Sequence, residues 1–381
     1  MAPSPLQLQV PASASALHGA HMNGGEGDAS YAKNSTPQRR VQQRLAPLVE
    51  AAVADVCRDA ASVPRSIGIA DLGCSSGPNT LFLVSAAVDA VRRRCAAAGA
   101  TCPELHVFLN DLPDNDFNAV FRQLPEFLRR EQSRRELDAG NVLVFGAPGS
   151  FFGRLFPAGS LHLVCSSFSL HWFSLVPREL AHGELVNRGN ICAGRTSSPA
   201  VIDAYTRQFS RDLTLFLESR AVEVVAGGWV LVSLKRRSAR DPCSEGCAMY
   251  DHPNSILNDM ASRGLLEAAK LDSYNIPAYE PCAEEVRGIV DAEGSFKIVG
   301  MESYETAASV GTAAVTACDP AGFARTMRAV HEPMLARHFG AGINMDEFMS
   351  TAEGHFGRLI NEGTYRGALV HVLSLRRKCK F

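Results

Sequence analysis

The stretch "IADLGCSSGPNT", residues 69–80, joins the end of an apolar run, a glycine-rich turn and the start of a helical pattern. This order of strand, turn and helix is typical of α/β proteins and places a tight turn at the carboxyl end of a buried strand. Gly73 and Gly77 lack a Cβ atom, so the backbone there can adopt a positive φ and a ligand can approach closely. The helix that follows offers free N–H groups in its first turn. Turns of this kind bind phosphates, dinucleotides or S-adenosylmethionine.

The spacing within the turn separates these three ligand classes. A phosphate-binding loop requires Gly-Lys-Ser/Thr at its end, but Gly77 is followed by Pro78 and Asn79. A dinucleotide-binding turn requires G-x-G-x-x-G, but Cys74 lies where a second glycine would help to admit a pyrophosphate. The remaining pattern is D-x-G-x-x-x-G, with Asp71 at the end of the strand. It suits a ligand that presents an amino acid and a nucleoside but no phosphate.

Short apolar runs recur along the chain and alternate with helical patterns. The runs that predict strands cover residues 66–70, 105–110, 141–146, 161–167, 229–234, 296–303 and 368–375. The helical patterns cover residues 38–60, 80–98, 117–137, 201–226, 254–268, 281–293, 321–339 and 345–362. The opening alternation of strands and helices predicts an α/β fold with a doubly wound, seven-stranded and mostly parallel sheet. Ligands of such sheets bind beyond the carboxyl ends of the strands.

Three stretches of the chain are too long to be simple connections between strands. They cover residues 181–221, 238–294 and 312–365. We expect them to form an α-helical cap over the carboxyl edge of the sheet. The remaining core strands then fall within residues 222–237, 295–311 and 366–381. Residues 1–21 are rich in alanine, serine and proline, and we interpret them as a disordered tail.

The composition of the 381-residue chain argues against several classes of partner. The formal net charge is −2 and the basic clusters have acidic residues nearby, so we expect no binding to nucleic acid. We also expect no membrane span, because no apolar run is long enough. The eleven cysteines include no C-x-x-C pair, and "CSEGC" at residues 243–247 has no second pair at zinc spacing. This pattern favours a reduced, cytoplasmic protein.

Polar and aromatic residues follow the first four predicted strands, at the edge where a ligand would bind. Asp71 ends the first strand, Asp111 ends the second, Phe151 follows the third and Trp172 follows the fourth. A carboxylate after the second strand can accept hydrogen bonds from both hydroxyl groups of a ribose, and an aromatic ring after the third can stack on adenine. Asp111 could instead cap the following turn, and Phe151 could belong to the core. At successive strand ends, these residues together favour a nucleoside ligand.

Six blocks of the sequence resemble the plant SABATH methyltransferases. The blocks are "MNGGEGDASYAKNSTPQ", "DLGCSSGPNT", "LNDLPDNDFN", "PGSFFGRLFP", "SSFSLHWFSLVP" and "KLDSYNIPAYEP". They run in the family's order from Met22 almost to the C-terminus. The resemblance implies a class I methyltransferase with a Rossmann-like fold, in which residues 22–180 form the cofactor-binding core with an N-terminal lid segment. It also implies an enzyme that transfers a methyl group from S-adenosylmethionine to small carboxylic acids such as salicylate, benzoate, jasmonate or indole acetate.

The resemblance further implies which residues bind the cofactor, S-adenosylmethionine. Carried over position by position, they are Tyr31, Ser35, Asp71, Asn79, Asp111, Leu112, Ser150 and Phe151. In the family, the neighbourhood of Asp71 faces the methionine part, Asp111 faces the ribose, and Ser150 and Phe151 face the adenine. Tyr31 belongs to an N-terminal segment that closes over the site.

The residues around the methyl acceptor follow from the same resemblance. They are Gln38, Phe168, His171, Trp172, Leu234, Met249, Tyr250 and Met327. Gln38 and Trp172 match the pair that positions the substrate carboxylate, through an amide N–H and an indole N–H. A carboxylate with a pKa near ~4 is already ionised at neutral pH, so its methylation requires no general base. We therefore expect His171 to shape the pocket or to contact the substrate.

Three positions depart from the family's common pattern and bear on the substrate. Phe168 stands where many members have tyrosine, and Tyr250 stands where relatives often have tryptophan. Ala368 aligns with a bulky aromatic residue of salicylate-type enzymes. These differences indicate a roomier pocket with a hydroxyl group on one wall. We expect an aromatic or larger hydrophobic carboxylic acid as the substrate.

The family has a proposed magnesium position as well. The matching residues are Asn187, Asp272, Tyr274 through its backbone carbonyl, and Asn275. Oxygen ligands of this type suit a hard cation. Methyl transfer to a carboxylate does not require a metal, so we expect a structural ion or none. Relatives also suggest a homodimer.

Two alternative functions stay open at this point. Some members of the family methylate purine-type ring nitrogens, and the retained pair of Gln38 and Trp172 favours a carboxylate over such a neutral heterocycle. A non-catalytic small-molecule carrier could keep the fold without turnover. The presence of Asp71, Asp111 and Trp172 argues against a carrier.

Overall fold

The computed structural model describes residues 21–58, 63–133, 141–241, 248–306 and 319–379 of the chain. Of the predicted N-terminal tail, only His21 lies within these ranges. Both cysteines of "CSEGC" lie outside them. No helix within the described ranges has the length and apolar character that crossing a membrane requires.

Seven strands form one sheet. They are β1 (Ser66–Leu72), β2 (Glu104–Asp111), β3 (Val142–Pro148), β4 (Leu161–Ser167), β5 (Val224–Lys235), β6 (Phe296–Glu305) and β7 (Leu369–Arg377). Their order across the sheet is β3-β2-β1-β4-β5-β7-β6. Strands β1 to β5 are parallel, and β7 runs antiparallel to both of its neighbours. The predicted seven-stranded, mostly parallel sheet is therefore confirmed.

The described α-helices precede β1 or lie between these strands. They are α1 (Tyr31–Asn34), α2 (Thr36–Val56), α3 (Phe82–Ala98), α4 (Phe117–Ser133), α5 (Arg178–Ala181), α6 (Pro199–Glu223), α7 (Ala248–Ser262), α8 (Ala268–Ser273), α9 (Ala283–Glu293), α10 (Pro320–Phe339) and α11 (Met345–Asn361). The helix predicted over residues 201–226 ends earlier than expected, because Val224 already pairs with Leu161 of β4. Two β-branched residues in succession, Val224 and Val225, favour the strand at this point.

Both faces of β1 are buried, as a doubly wound sheet requires. Ile67 and Ile69 face one apolar cluster, which includes the fully buried Leu45 of α2. Ala70 and Leu72 belong to a second cluster, which includes side chains of α6, α7, α10 and α11. Burying one such leucine contributes about 1.5–3 kcal/mol to the free energy of unfolding. The alternation of cluster membership along the strand follows from the alternation of side chains between the two faces.

The helices of the long connections pack on one another and on the N-terminal segment. Helix α11 contacts both α7 and α10, and α1 contacts α10. Thr326 and Met327 of α10 lie over the carboxyl ends of the strands, where they line a cavity. The exact bounds of the predicted cap segments stay a prediction.

Candidate active site

A cavity with about 1080 Å³ of empty space, part of it open to solvent, lies at the carboxyl ends of the strands. The predicted site residues that line it are Tyr31, Gln38, Asp111, Leu112, Ser150, Phe151, Phe168, His171, Trp172 and Met327. The structure thus brings residues from the ends of β2, β3 and β4, the N-terminal segment and α10 to one place.

The turn after β1 takes the left-handed conformation that its glycines allow. Gly73 has a φ of +77° and Gly77 a φ of +99°. A Cβ atom on Gly73 would lie 2.3 Å from the hydroxyl oxygen of Ser169, in the loop after β4. A Cβ atom on Gly77 would lie 2.6 Å from the Cα atom of Ala32, in α1. The missing side chains therefore let two other segments approach the turn closely.

We expect the variant Gly77→Ala to separate the N-terminal segment from the turn. The unfavourable φ alone costs about 1–3 kcal/mol, and the added methyl group would collide with the backbone of Ala32. Affinity for S-adenosylmethionine should fall about tenfold, a loss of about 1.4 kcal/mol, and calorimetry measures it. The matched control is Gly99→Ala at the end of α3, where φ is +60° and no atom lies within 4 Å. Equal losses in the two variants would contradict this account.

Asp111 connects the ends of two strands. Its Oδ2 accepts a hydrogen bond from the Ser75 N–H at 2.7 Å, and its Oδ1 accepts one from the Leu112 N–H at 2.7 Å. Burial raises the pKa of Asp111 to about 6, although these two hydrogen bonds lower it. Each carboxylate oxygen keeps a further lone pair, so the turn-capping role and a contact to ribose hydroxyls are compatible.

Asp71 is buried beneath the turn, with 2% of its surface exposed. Its Oδ2 has no hydrogen-bond partner among the described residues. Burial, together with the nearby charge of Asp111, raises the pKa of Asp71 to about 7. A buried carboxylate oxygen without a hydrogen-bond partner is unfavourable unless a ligand supplies a donor or a positive charge. The ammonium group of the methionine part of S-adenosylmethionine has the charge and the donors to do so.

Ser35 and Asn79 hold the N-terminal segment in place. The Asn79 side-chain amide donates to the Ser35 carbonyl at 2.9 Å and to the Ser35 hydroxyl at 2.8 Å. On the other side, the Thr326 hydroxyl of α10 donates to the Asn34 carbonyl at 3.2 Å. These contacts fix the segment across the cavity, where Tyr31 forms part of the wall. Burial, with the charge of Asp111, raises the pKa of Tyr31 well above its usual value.

The loop after β3 is held by a buried ion pair. Arg220 of α6 pairs with Glu223 at 2.6 Å and donates to the Phe151 carbonyl at 2.9 Å. Phe151 packs edge-on against Phe216, with 6.1 Å between the ring centroids. Both charged residues are fully buried. Their contacts hold the loop in the position in which Ser150 and Phe151 line the cavity.

The acceptor side of the cavity is rich in aromatic and imidazole rings. The Trp172 ring lies 5.6 Å from that of His171 and 6.5 Å from that of His331 of α10, between centroids. His171 is buried and its Nδ1 accepts the backbone N–H of Lys235 at 3.5 Å. Burial, with the charge of Lys235, holds the pKa of His171 well below its usual value. His171 is therefore a neutral ring that shapes the wall.

The other residues predicted to surround the methyl acceptor lie at different depths behind the cavity surface. Phe168 has a φ of +60°, and its N–H donates to the Ser233 carbonyl at 2.8 Å. Tyr250 packs against Trp172 at 6.2 Å between centroids, and Leu234 is buried in the core beside them. These two residues support the wall from behind. The side chain of Met249 lies outside the described residues.

Several cavity residues were missed by the sequence analysis, among them Lys235 at the end of β5 and His331 in α10. A signal existed for Lys235, because it follows the apolar run "WVLVSL" at the carboxyl end of the fifth strand. No local pattern distinguishes His331, which is 3% exposed, from other residues of its helix.

The residues predicted to bind magnesium are Asn187, Asp272, Tyr274 and Asn275. The Asn187 amide oxygen accepts the Ser197 hydroxyl at 2.7 Å, and Asp272 accepts the Gly189 N–H at 3.0 Å. The side-chain oxygen of Asn275 has no partner among the described residues. Among all the residues that the structure describes, no group of three or more histidines, cysteines, aspartates or glutamates could hold a metal ion. Two of the predicted ligand oxygens thus already accept a hydrogen bond, and the magnesium site stays a prediction.

Comparisons with known proteins agree with this geometry. The family described as SAM dependent carboxyl methyltransferase matches residues 18–378. The salicylate carboxymethyltransferase of Clarkia breweri is 43% identical over 338 residues, which cover 86% of this chain and 90% of that protein. The 3,7-dimethylxanthine N-methyltransferase CkTbS of Camellia sinensis var. assamica is 38% identical over 322 residues, covering 84% and 86% respectively.

A solved structure gives the same result for the fold. The structure of loganic acid methyltransferase with SAH matches with a TM-score of 0.80 and 29% sequence identity, and the match covers 94% of this chain and 99% of that chain. The predicted Rossmann-like methyltransferase fold and the use of S-adenosylmethionine are confirmed. The chain therefore belongs to the SAM-dependent carboxyl methyltransferase family, which the six sequence blocks predicted as SABATH.

Proposed function

We propose that this enzyme converts the carboxylate of a small, largely hydrophobic acid into its methyl ester, with Gln38 and Trp172 positioning that carboxylate. The observation that carries the proposal is that both residues line the same cavity as Asp111 and Phe151. One half of the cavity suits the cofactor, with the Asp111 carboxylate for its ribose and the Phe151 ring for its adenine, and the buried Asp71 lies beneath the adjoining turn. The other half suits an acid, with neutral N–H donors among aromatic rings.

The reaction requires little chemistry from the protein. S-adenosylmethionine, when bound, supplies a methyl group on a sulfonium that is already activated. An acid with an ordinary pKa near ~4 is ionised at neutral pH and needs no base, which agrees with a neutral, buried His171. Gln38 and Trp172 donate to the carboxylate and fix its direction. Positioning of this kind contributes about 7–11 kcal/mol to lowering the barrier, and the N-terminal segment excludes water.

The alternative of ring-nitrogen methylation is less compatible with this pocket. The relatives include an N-methyltransferase, so sequence identity alone does not separate the two reactions. The described acceptor wall, however, includes the buried ammonium group of Lys235. A positive charge at the wall attracts an anionic acid into the pocket, whereas a neutral heterocycle gains no such attraction. A carrier function predicts cofactor binding without turnover, which the same experiment detects.

A methyl-transfer assay tests the proposal. The purified protein receives labelled S-adenosylmethionine and a panel of acids and xanthines, including salicylate, benzoate, anthranilate, indole acetate, jasmonate, a farnesoic acid and a gibberellin. We expect labelled ester from at least one acid and none from the xanthines. Label found only on xanthines would overturn the proposal in favour of the nitrogen reaction. Cofactor binding without any transfer would favour the carrier.

Three further proposals rest on the family resemblance. They are a homodimer, a structural magnesium ion at Asn275 and its neighbours, and a cytoplasmic location. Light scattering measures the mass in solution, metal analysis of the purified protein detects magnesium, and a fluorescent fusion reports the location. None of the three enters the proposed reaction.

A further inference from the structure

Lys235 carries a buried ammonium group at the wall of the cavity. Lys235 is the last residue of β5, lines the cavity and is 5% exposed. Its Nζ stands 4.4 Å from the centre of the Tyr250 ring and 5.8 Å from that of Phe168. Among the described residues, no oxygen accepts a hydrogen bond from it and no carboxylate forms an ion pair with it. Its contacts are thus the faces of two aromatic rings.

The groups around this ammonium do not neutralise it by contact. Glu280, itself 5% exposed, acts on Lys235 through space, and its Oε2 has no hydrogen-bond partner among the described residues. The neighbouring imidazoles are His171, His252 and His331, and the pKa of each is lowered by burial and by the charge of Lys235. Burial lowers the pKa of Lys235, and the charge of Glu280 opposes that shift.

An unpaired buried cation is unfavourable for the free protein, and such groups concentrate at functional sites. The reacting carboxylate is a poor partner for it. That carboxylate loses its negative charge as the methyl group is transferred, so a cation bound to it would stabilise the starting state more than the transition state. The neutral donors of Gln38 and Trp172 avoid much of this penalty. Lys235 is therefore better suited to a group whose charge does not change in the reaction.

We propose that Lys235 binds a second anionic group of the acceptor, so that the preferred substrates are dicarboxylic acids that leave as monomethyl esters. The inference rests on the proposed function and specifies its substrate class. One carboxylate, on Gln38 and Trp172, forms the new O–CH₃ bond while the S–CH₃ bond breaks and S-adenosylhomocysteine leaves. The other carboxylate stays ionised beside Lys235, and no proton moves. A second methylation is disfavoured, because the ester would then have to face the ammonium group.

Matched pairs of acids test the proposal. The substrates are benzoate with phthalate, isophthalate and terephthalate, and cinnamate with 4-carboxycinnamate, each assayed with the wild-type protein and with Lys235→Met. For the best dicarboxylate, kcat/KM should exceed that of its monocarboxylate in the wild type, and Lys235→Met should lower it about 100-fold. The monocarboxylates, which lack the second carboxylate, should lose much less, so the ratio of the two kcat/KM values should fall towards one. Lys235→Arg, which keeps the charge, should preserve the preference.

Two further outcomes separate this proposal from the one it rests on. If esters form but Lys235→Met leaves the ratio of kcat/KM for dicarboxylate over monocarboxylate unchanged, Lys235 does not bind the second carboxylate. The methyltransferase reaction would still stand. No ester from any acid, mono- or dicarboxylic, would overturn both. The double variant Lys235→Met with Glu280→Gln removes both buried charges and guards against a folding defect. It should show the same loss of preference as Lys235→Met.

Discussion

Replacing Trp172 by phenylalanine is expected to lower kcat/KM for the acid substrate about 100-fold, as the loss of one oriented hydrogen-bond donor does in other enzymes. The substitution keeps an aromatic ring beside His171, His331 and Tyr250, so the wall of the pocket stays filled. Only the indole N–H is lost. Affinity for S-adenosylmethionine should change little, because Trp172 belongs to the acceptor side. Steady-state kinetics and calorimetry measure the two effects separately.

The chain provides a matched control for this variant in its second tryptophan. The Trp229 N–H donates to Asp55 at 3.1 Å, on a part of β5 that does not reach the cavity. Trp229→Phe also removes one indole N–H, but we expect kcat/KM to stay near the wild-type value. If Trp172→Phe retains wild-type activity, or if both variants lose activity equally, the indole of Trp172 does not position the carboxylate.

Replacing Asp71 by asparagine is expected to weaken the binding of S-adenosylmethionine about 100-fold, since removing one partner of a buried charge pair costs about 2–5 kcal/mol. The same variant should leave the ligand-free protein equally or more stable, because a neutral amide replaces a carboxylate whose charge is disfavoured by burial and by Asp111. A loss of affinity without a loss of stability distinguishes a binding residue from a structural one. Urea unfolding and calorimetry provide the two values. Unchanged affinity would remove Asp71 from the cofactor site.

The pKa of Asp71 adds a pH dependence with a definite sign. In the folded protein it is about 7, above the ordinary value of 3.8, so the folded chain binds more protons than the unfolded chain between these values. The stability of the ligand-free protein should therefore fall as the pH rises from about 4 to about 7, by up to about 4 kcal/mol at 1.36 kcal/mol per pKa unit. Asp111, with a pKa of about 6, acts in the same direction.

Cofactor affinity should follow the opposite trend, because the cofactor's ammonium group requires an ionised partner. It should increase as the pH rises through about 7, and Asp71→Asn should flatten this dependence. Thermal unfolding of the ligand-free protein and calorimetric titration, both over the range from about pH 5 to about pH 8, measure the two trends. A wild-type affinity that is independent of pH would contradict the assignment.

The strands and the cofactor half of the site could be predicted because their signals are local. Each of the first four strands is a short apolar run, and the polar or aromatic residue that follows it lies at the carboxyl edge by the geometry of parallel strands. Asp71, Asp111 and Phe151 therefore lie at the same carboxyl edge of the sheet, independently of how the helices pack. The order in which β7 lies between β5 and β6 carries no such local signal.

The acceptor half was harder to predict because distant segments build it. Asn23 donates its backbone N–H to the Ala329 carbonyl at 2.9 Å, across about three hundred residues of sequence, and this contact brings the N-terminal segment to α10. His331 enters the cavity only through that packing. Lys235 precedes two arginines in "KRR", a run of charge that usually indicates a solvated surface. Only the sheet shows that its first member points inward.

The chemical nature of the methylated product tests the central claim most directly. Product labelled from S-adenosylmethionine is divided, and one part is treated with mild alkali, which hydrolyses methyl esters but leaves N-methyl groups intact. The account predicts an acid-derived product whose label is released as methanol, formed far more slowly by Trp172→Phe than by Trp229→Phe. A label that resists alkali, or the absence of labelled product from every acid, would contradict it.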